Sequence, residues 1–471
     1  MRFARFTKRC VTLVIICVIL IQLVWYYTSE KQSYRSFKQV NLPKAKNKTL
    51  SGLWPGKIDI PILLWWDSVY TDVDEIRHCG ENKCRLTNKR EFQNHHDTSA
   101  FLFYGSNFKP YNLPLPRKPH HLWALMHEES PRNAYILLHE PALSIFNFTS
   151  TYSMQSDYPI TTQWLQCPEW LQDKKYVLPL VDKNRLRKLG LAPVLYLQSD
   201  CDVPSDRDSF VKVLQKHIPV DSYGTCLQNK KMARRLRFHD NMAPLDDQEF
   251  FRFAARYKFA LAMENYVCED YITEKLWRPL RLGSVPIVFG APNIKEYLPS
   301  NNSAIVIEDY EDVEDLVQYI RLLDTNDKLY KQYMTFKDGP LENLKLKQIL
   351  QSRDWAPDFC SKSIPKFMDH QNKLYNSIFT GYECFVCDKV HEYIKSGGKT
   401  VFKVNASDYK CPSPRRFDES GHYSIHKDTW AAEWNFGKHE AIAMLLLYES
   451  GKTMSQKEFY KFVKKTMNSD Y

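Results

Sequence analysis

The sequence predicts an α/β fold built from parallel, doubly wound sheets. Short apolar runs of strand length occur in two series along the chain, and helical stretches alternate with the runs of the second series. Such alternation is typical of parallel sheets with helices on both faces. The composition agrees, because 44% of the 471 residues are hydrophobic and 14% are aromatic. A chain of this length and composition buries a large core and divides into two or three domains.

The amino-terminal segment predicts a membrane anchor. Residues 1–9 carry four basic side chains, and residues 10–27 form an apolar run long enough to span a bilayer. Basic residues before the span indicate a cytoplasmic tail, so everything after residue 28 is expected to be lumenal. A cleaved signal peptide is the alternative, but the run ends in Trp-Tyr-Tyr and not in small residues. The polar, lysine-rich residues 28–56 predict an extended stem.

The apolar runs define the predicted domains. Residues 57–190 are expected to form an amino-terminal Rossmann-like domain and residues 191–350 a carboxy-terminal one. Residues 351–471, which are rich in Cys, aromatic and charged residues, are expected to form a C-terminal extension with a helical segment near its end. The predicted strands are 60–66, 100–104, 121–126, 142–146, 193–197, 257–263, 285–289 and 304–307, and the clearest helices of the second series are 208–217 and 311–323.

Cysteines and glycosylation sequons favour an oxidising compartment. Ten cysteines follow the apolar run, so disulfides are predicted; the Cys384-Phe-Val-Cys387 pair is alternatively half of a zinc site or a redox pair, but no second such pair completes a metal site. Plausible partners are Cys201 with Cys226, and the Cys384/Cys387 pair with Cys79, Cys84, Cys360 or Cys411, although connectivity is not deducible. The Asn-X-Ser/Thr sequons are at Asn47, Asn147, Asn301 and Asn405.

The net charge of +10 does not predict nucleic acid binding. Part of this charge lies in the tail and stem, and a lumenal chain does not meet DNA, whereas an anionic nucleotide substrate is compatible with it. The tripeptides Asp72-Val-Asp74 and Asp200-Cys-Asp202 resemble the metal-binding pair of another class of transferases. Such tripeptides are common, so no metal and no other cofactor are predicted.

The strongest local signal lies where a predicted strand meets a helix. The strand 257–263 ends in Glu264, and a short loop leads to Thr273, a helix N-cap that places Glu274 and Lys275 in the first turn. Free backbone N–H groups and a lysine attract phosphate, and a nearby carboxylate accepts hydrogen bonds from ribose hydroxyls. A sugar nucleotide fits both groups. The alternative is a solvated charge pair on a capped helix.

This segment closely resembles the nucleotide-sugar signature of the α1,3-fucosyltransferase family. The likeness spans roughly residues 58–350. The matching segments are Glu264-Asn265, Tyr271 to Lys275, Val285 to Ile287, Trp123 to Pro131, Phe146 to Tyr152 with Ser156-Asp157, and a weaker turn at Val220 to Cys226. The resemblance implies two Rossmann-like domains facing a cleft (GT-B type), with the acceptor on the amino-terminal side, GDP-fucose on the other, and inversion at the anomeric carbon.

The resemblance also assigns roles to residues. Glu129 corresponds to the general base, with the adjacent Glu128 as the fallback. Lys275 and the helix start would stabilise the departing GDP, and Tyr271 is expected to pack on guanine. The family's arginine near the Val-Asp-x-x-Gly turn is missing, so Lys230 or Arg207 is expected to replace it. The predicted donor-binding residues are Glu264, Asn265, Tyr271, Thr273, Glu274, Lys275, Tyr257 and Arg207.

The acceptor is less clear from the sequence. His127-Glu128 precedes the base where many glycan-acting members have Asn-Phe, and the chain continues about 110 residues beyond the usual end, as in the divergent long-tailed branch of the family. That branch implies Ser or Thr of folded secreted domains as acceptors, and lactosamine N-acetylglucosamine is the alternative. A silent GDP-fucose- or glycan-binding protein and a different sugar donor are the other readings. The expected residence is the endoplasmic reticulum or Golgi membrane.

Overall fold

The computed structural model of the chain describes residues 58–165, 167–233, 248–355, 370–404, 409–425 and 429–468. The predicted tail, anchor and stem lie outside these residues, as do Asn47, Asn405 and Cys360. Within the described ranges, none of the helices has the length and apolar character needed to span a bilayer.

Six of the described strands form the first sheet, in the order β2-β3-β1-β4-β5-β6. Neighbouring strands are parallel except for the antiparallel β2–β3 hairpin at one edge. The carboxyl ends of β1, β4, β5 and β6 therefore meet at one edge of the sheet. The strands are β1 Ile62–Asp67, β2 Asp74–Cys79, β3 Asn82–Thr87, β4 Thr98–Tyr104, β5 Leu122–His127 and β6 Phe148–Thr151.

One predicted strand of this sheet is wrong. The run 142–146 was expected to be a strand, but the chain forms the short helix α1 at Glu140–Leu143 and then enters β6. A proline in the first helical turn has the φ angle that a helix needs and lacks an N–H that the helix would not use. The backbone N–H of Asn147 donates to the Trp123 carbonyl (2.7 Å), which starts the pairing of β6 with β5.

The second sheet is entirely parallel in the described residues, with the order β11-β10-β9-β7-β8. Its strands are β7 Val194–Tyr196, β8 Val220–Ser222, β9 Phe259–Met263, β10 Val285–Phe289 and β11 Ile305–Val306. The associated helices are α2 Leu180–Lys188, α3 Arg207–His217, α4 Gln248–Ala254, α5 Glu274–Leu282, α6 Val313–Thr325, α7 Asp327–Gln332 and α8 Leu344–Gln351. The predicted α/β class is confirmed, in a GT-B-like form with one mostly parallel and one parallel sheet.

The C-terminal extension contributes to the cores of both sheets. The long helix α9, His370–Lys395, places Tyr382 and Val386 in the apolar core of the first sheet, where both are fully buried. Further along, the hairpin β12 Arg416–Phe417 and β13 Tyr423–Ile425 buries Phe417 in the core of the second sheet. The described part of the extension up to residue 425 therefore does not stand apart from the two sheets.

The described chain divides into two compact units. One contains both sheets and extends to Lys438; the other contains residues 109–119 and the chain from His439 onward. In this smaller unit, Tyr111 packs against Phe459 and Tyr460. Its helices are the end of α10, Thr429–Ser450, and α11, Gln456–Met467, which begins with a capping box formed by Ser455 and Glu458. The helical segment predicted at 439–450 is confirmed.

Candidate active site

The nucleotide side of the site is built where β9 ends and α5 begins. Thr273 caps α5, and its hydroxyl accepts from the backbone N–H of Lys275 (3.4 Å). The buried Glu264 carboxylate, directly after β9, accepts from the backbone N–H (2.8 Å) and the hydroxyl of Thr273. The Lys275 Nζ lies 3.3 Å from Glu264 Oε2 and 3.5 Å from Glu274 Oε1. A cation is thus fixed at a helix N-terminus, as a phosphate site requires.

The charges of this cluster depend on one another. Burial raises the pKa of Glu264, although Lys275 opposes this effect. Burial would also raise the pKa of Glu274, but Lys275 and Arg278 hold it below its ordinary value. Burial alone would lower the pKa of Lys275, yet the two carboxylates hold it above its ordinary value. Lys275 therefore keeps its charge at neutral pH and remains able to attract an anionic group.

Two glycines stand where backbone segments approach closely, and one of them lies beside Glu264. Gly290, directly after β10, has φ +145°, and a Cβ there would lie 2.7 Å from the Cβ of Glu264. Gly224, in the turn after β8, would bring a Cβ to 1.9 Å from the Gln198 carbonyl oxygen. Gly224 belongs to a motif recognised in the sequence, whereas Gly290 was missed. Its signal was a glycine immediately after a buried strand, which marks close approach of two backbones.

The carboxyl edge of the first sheet brings Glu129 to the nucleotide side. Glu129 lies two residues after β5, and its Oε2 is 3.3 Å from the hydroxyl of Tyr271, which belongs to the loop between β9 and α5. Burial raises the pKa of the Glu129 carboxyl above its ordinary value. The charge of Lys275 and the hydrogen bond from Tyr271 both oppose this rise. The predicted base and the predicted donor-binding cluster are therefore close enough to influence one another electrostatically.

The adjacent Glu128 has different surroundings. It is 3% exposed and accepts a hydrogen bond from the Tyr104 hydroxyl, and its backbone carbonyl accepts from Gln163 Nε2 (3.0 Å). Burial raises the pKa of Glu128 to about 7. No contact of Glu128 with the nucleotide side is present in the described residues, so the geometry favours Glu129 over Glu128 as the group that meets the donor.

Two predicted roles are corrected by the structure. Tyr257 lies before the amino end of β9, seven residues from Glu264, which is roughly 23 Å along an extended strand. It is fully buried, and its hydroxyl donates to Asp221 Oδ2 (2.9 Å), so it is a core residue and not a donor ligand. Tyr271 is only 2% exposed, and its ring centroid lies 4.8 Å from that of Tyr152. The ring therefore has no free face for guanine.

The remaining donor-side predictions have mixed outcomes. Arg207, the first residue of α3, is 1% exposed; its guanidinium donates to the Met263 carbonyl (3.1 Å) and lies close enough to Lys275 to oppose its charge. Lys230 is half exposed, with its Nζ 3.7 Å from Asp221 Oδ1, and is not brought to the cluster by any described contact. Asn265 follows Glu264 and is half-buried, and its backbone carbonyl accepts from the Ser205 N–H (3.1 Å).

The disulfide prediction is confirmed, with one change of partner. Cys201 pairs with Cys226, and the Cys384/Cys387 pair bonds to Cys79 and Cys84. Cys411, one of the four candidate partners of that pair, bonds instead to Cys268 in the loop between β9 and α5. Cys268 was not among the candidate partners, and the two cysteines are 143 positions apart in the chain.

Two of the predicted glycosylation sites lie in described residues. Asn301 is exposed, which suits a glycan. Asn147 is half-buried; its Nδ2 donates to the Phe402 carbonyl (3.2 Å), and its Oδ1 accepts from the Trp123 N–H (2.8 Å). A glycan replaces only one of the two Nδ2 hydrogens and leaves the other for this hydrogen bond, so the site at Asn147 stays a prediction.

Three side-chain groups in the described residues are close enough to hold a metal ion. Two contain disulfide-bonded cysteines, Cys84–Cys387 and Cys201–Cys226, whose sulfurs are not available as thiolate ligands. The third is the surface group of His95, His96 and Asp97. None includes a residue of the Glu129–Lys275 region.

Comparison with known proteins identifies the family. Two family models match, "Glycosyltransferase family 10 (fucosyltransferase) C-term" over residues 188–380 and "Fucosyltransferase, N-terminal" over residues 59–163. The dog protein GDP-fucose protein O-fucosyltransferase 3 is 42% identical over 411 residues, which cover 86% of this chain and 82% of the relative. The chain belongs to glycosyltransferase family 10. Its likeness to this fucosyltransferase family covers both sheets and therefore both sides of the candidate site.

Other relatives have the same name. The human GDP-fucose protein O-fucosyltransferase 3 is 41% identical over 412 residues, covering 86% of this chain and 82% of that protein. The Xenopus tropicalis protein is 38% identical over 450 residues and covers 92% of each chain. Among solved structures, an α1,3-fucosyltransferase with GDP-fucose is 16% identical, with a TM-score of 0.35, and covers 55% of this chain and 77% of that one.

Proposed function

We propose that this family 10 member transfers fucose from GDP-fucose to Ser or Thr hydroxyls of folded secreted protein domains, with inversion at the anomeric carbon. The observation that carries the proposal is the 3.3 Å approach between Glu129 Oε2 and the Tyr271 hydroxyl, because it joins the acceptor-side base to the donor loop. The relatives that share about 40% of their residues with the chain are named GDP-fucose protein O-fucosyltransferase 3, which supports protein as the acceptor.

The chemistry follows from the two sides of the site. The acceptor oxygen attacks the anomeric carbon of fucose while its proton passes to the Glu129 carboxylate. The bond between that carbon and the β-phosphate oxygen breaks, and its electrons remain on GDP. The charge of Lys275 and the N–H groups at the start of α5 stabilise the negative charge that develops on the leaving phosphate. Glu264, fixed by Thr273, is available to accept hydrogen bonds from the ribose.

The reaction as proposed needs no metal ion. Lys275 supplies the positive charge that a divalent cation supplies in other transferases, and Arg207 adds a second one nearby. We also propose that residues 10–27 anchor the chain, with the catalytic part in the lumen of the endoplasmic reticulum or Golgi. The four disulfides of the described residues support an oxidising compartment.

The test is a transfer assay with the purified full chain. The protein is incubated with GDP-fucose and EDTA, and is offered lactosamine oligosaccharide or a panel of folded secreted domains. Mass spectrometry detects the added deoxyhexose. We expect fucose on Ser or Thr of at least one folded domain, undiminished by EDTA. Glu129→Gln should reduce transfer by about 10² to 10⁴-fold while GDP-fucose still binds, since only the base is lost.

Each alternative outcome has a clear meaning. Fucose on lactosamine alone would make the chain a glycan-modifying enzyme. Donor binding with no transfer to any acceptor would identify a silent binding protein. Loss of transfer in EDTA would overturn the metal-free reaction. Glu128→Gln is the matched control, because it removes the neighbouring carboxylate and leaves Glu129 in place.

A further inference from the structure

Asp270 is an unusual residue in the loop between β9 and α5. It is 6% exposed and has φ +63°, in the left-handed region that few residues other than glycine adopt, although Asp and Asn tolerate it better than most. Its backbone N–H donates to Asn293 Oδ1 (3.0 Å). A residue kept in this conformation is held by its surroundings, and the surroundings of Asp270 come from both sheets.

The Asp270 carboxylate joins the two sides of the site. Its Oδ1 accepts from Asn293 Nδ2 (2.8 Å) and from the Tyr297 hydroxyl (2.6 Å), both of which follow β10 of the second sheet. Its Oδ2 accepts from the Met154 N–H (2.9 Å) and the Ser153 hydroxyl (3.4 Å), both of which follow β6 of the first sheet. Each oxygen therefore binds two donors, and the two oxygens serve different sheets.

The position of Asp270 determines where the neighbouring Tyr271 lies. Tyr271 directly follows Asp270, and its hydroxyl lies 3.3 Å from Glu129 Oε2. The Tyr271 ring packs against Tyr152, which precedes Ser153 in the same loop after β6. Two residues before Asp270, Cys268 is bonded to Cys411, whose sulfur is 3.2 Å from the Tyr152 hydroxyl. The loop is thus tied to the first sheet at Asp270 and at Tyr271, and the Cys268–Cys411 bond holds it next to Tyr152.

We propose that Asp270 is a positioning residue that holds the Tyr271 hydroxyl against Glu129 and so couples the donor loop to the general base. This inference rests on the proposed role of Glu129 in fucosyl transfer. A carboxylate is required because four donors converge on it. An amide at this position keeps one accepting oxygen, and its NH2 group faces two of the donors. The change Asp270→Asn therefore breaks one of the two ties while the left-handed backbone remains accessible.

The test follows Glu129 itself, so it does not depend on the acceptor. The Glu129 carboxyl band is assigned in pH-dependent infrared difference spectra of the full chain by its loss in Glu129→Gln. Since the Tyr271 hydrogen bond lowers the pKa of Glu129, its removal should raise the titration midpoint. We expect an upward shift of at least about 0.5 pH unit in Tyr271→Phe, a similar shift in Asp270→Asn, and no further shift in the double variant.

Kinetics give a second readout once transfer is established. Asp270→Asn should lower kcat by about tenfold or more, leave the affinity for GDP within about threefold, and move the acid limb of the pH profile upward. Asn293→Ala, which removes two bonds to Asp270, is the second variant and should shift the midpoint in the same direction. Asp206→Asn is the matched control. The backbone of Asp206 is also left-handed (φ +51°) and its carboxylate accepts from the Phe417 N–H, but Asp206 is not next to Tyr271 in the chain.

Three results would overturn the proposal. They are an unmoved midpoint in Asp270→Asn when Tyr271→Phe moves it, additive shifts in the double variant, or an unmoved midpoint in Tyr271→Phe itself. A wild-type chain that transfers no fucose but shows the expected midpoints would overturn the proposed function and leave the positioning of Glu129 intact.

Discussion

Two adjacent glutamates at the end of β5 show how strongly the surroundings of a single residue determine its chemistry. Glu129 faces Tyr271 and the charge of Lys275, whereas Glu128 is enclosed by the first sheet and bonded to Tyr104. Both carboxyl groups have raised pKa values because of burial. The two residues are therefore separable by experiment: changes at Glu129 affect transfer, and changes at Glu128 affect the stability of the fold.

Glu128→Gln should change the pH dependence of stability. The pKa of Glu128 is raised from 4.5 to about 7 by burial, so the folded chain binds this proton more tightly than the unfolded chain. The stability that the protonated Glu128 contributes is complete below pH 4.5 and is lost as the pH rises towards 7. The variant lacks this loss, so its advantage over the wild type should grow between pH 5 and pH 8, by up to about 3 kcal/mol.

Thermal unfolding midpoints of both proteins at pH 5 and pH 8 measure this effect. Glu81→Gln, at an exposed glutamate in the β2–β3 turn, is the control and should show no such pH-dependent gap. A gap between Glu128→Gln and the wild type that stays constant over this range would show that burial does not raise the pKa of Glu128 as described.

Sequence reasoning located correctly the helix start that carries three of the candidate site residues, because their contacts are local. Thr273, Glu274 and Lys275 form one helical turn, and capping chemistry is readable from such a turn. It failed for Tyr257 and for the role of Tyr271. An apolar run does not say which of its residues face the ligand edge, and the partner of Tyr271 comes from the other sheet. Asp270 was missed because its donors lie more than 20 residues away along the chain.

At the scale of elements, α9 is attached to the β2–β3 hairpin at two points. The Cys79–Cys384 and Cys84–Cys387 bonds hold consecutive turns of the helix, and Glu383, directly before Cys384, accepts from the Trp65 indole (3.0 Å) and pairs with Arg77 (3.1 Å). The helix buries Tyr382 and Val386 against the first sheet. The arrangement makes the two disulfides depend on each other.

Removing both disulfides should cost more than the sum of the single removals. Either bond alone closes a loop of about 300 residues, but once one is formed the other closes a ring of only about ten. On the loop-entropy scale, Cys384→Ala or Cys387→Ala alone should cost about 2 to 3 kcal/mol, and both together about 8 kcal/mol. Chemical unfolding of the three variants, each paired with its partner Cys→Ala change, measures the costs; strict additivity would contradict the expectation.

The elements that sequence patterns predicted are those with buried apolar faces. Strands β1, β4, β5 and β10 appear within one or two residues of their apolar runs, because burial on both faces leaves a continuous hydrophobic signal. The β2–β3 hairpin was not predicted, since its edge strand β2 is exposed and polar. The attachment of α9 to this hairpin depends on contacts more than 300 residues apart, for which the sequence has no local signal.

On the scale of the whole molecule, residues 409–417 run from one sheet to the other. The Tyr409 hydroxyl lies 2.8 Å from His127 Nδ1 at the end of β5, Cys411 is bonded to Cys268, and Phe417 is buried in the core of the second sheet. Burial lowers the pKa of His127 to about 3, so the histidine is neutral in this contact. This segment connects the base side of the site to the donor loop independently of Asp270.

Cys411→Ser should weaken donor binding. The change frees the loop between β9 and α5 from the segment at 409–417, so part of the binding energy would be needed to order the loop. We expect the Kd for GDP to rise by roughly tenfold in titration calorimetry, together with a lower unfolding midpoint. Cys79→Ser, which breaks a disulfide on the first sheet, should lower the midpoint without changing the Kd. Equal Kd values in both variants and the wild type would contradict this role.

The position of α9 has a consequence for biosynthesis. The strands of the second sheet and their helices are contiguous in the chain, so most of this core can form soon after residue 351 has left the ribosome, and Phe417 joins it later. The first sheet, although translated earlier, lacks one wall of its core until residues 378–390 arrive. Nascent chains usually complete their amino-terminal part first, whereas here the amino-terminal sheet waits for a helix translated after all strands of the second sheet. Until then, the apolar surface around Leu63 and Trp65 stays open to chaperones, and Cys79 and Cys84 stay without their final partners.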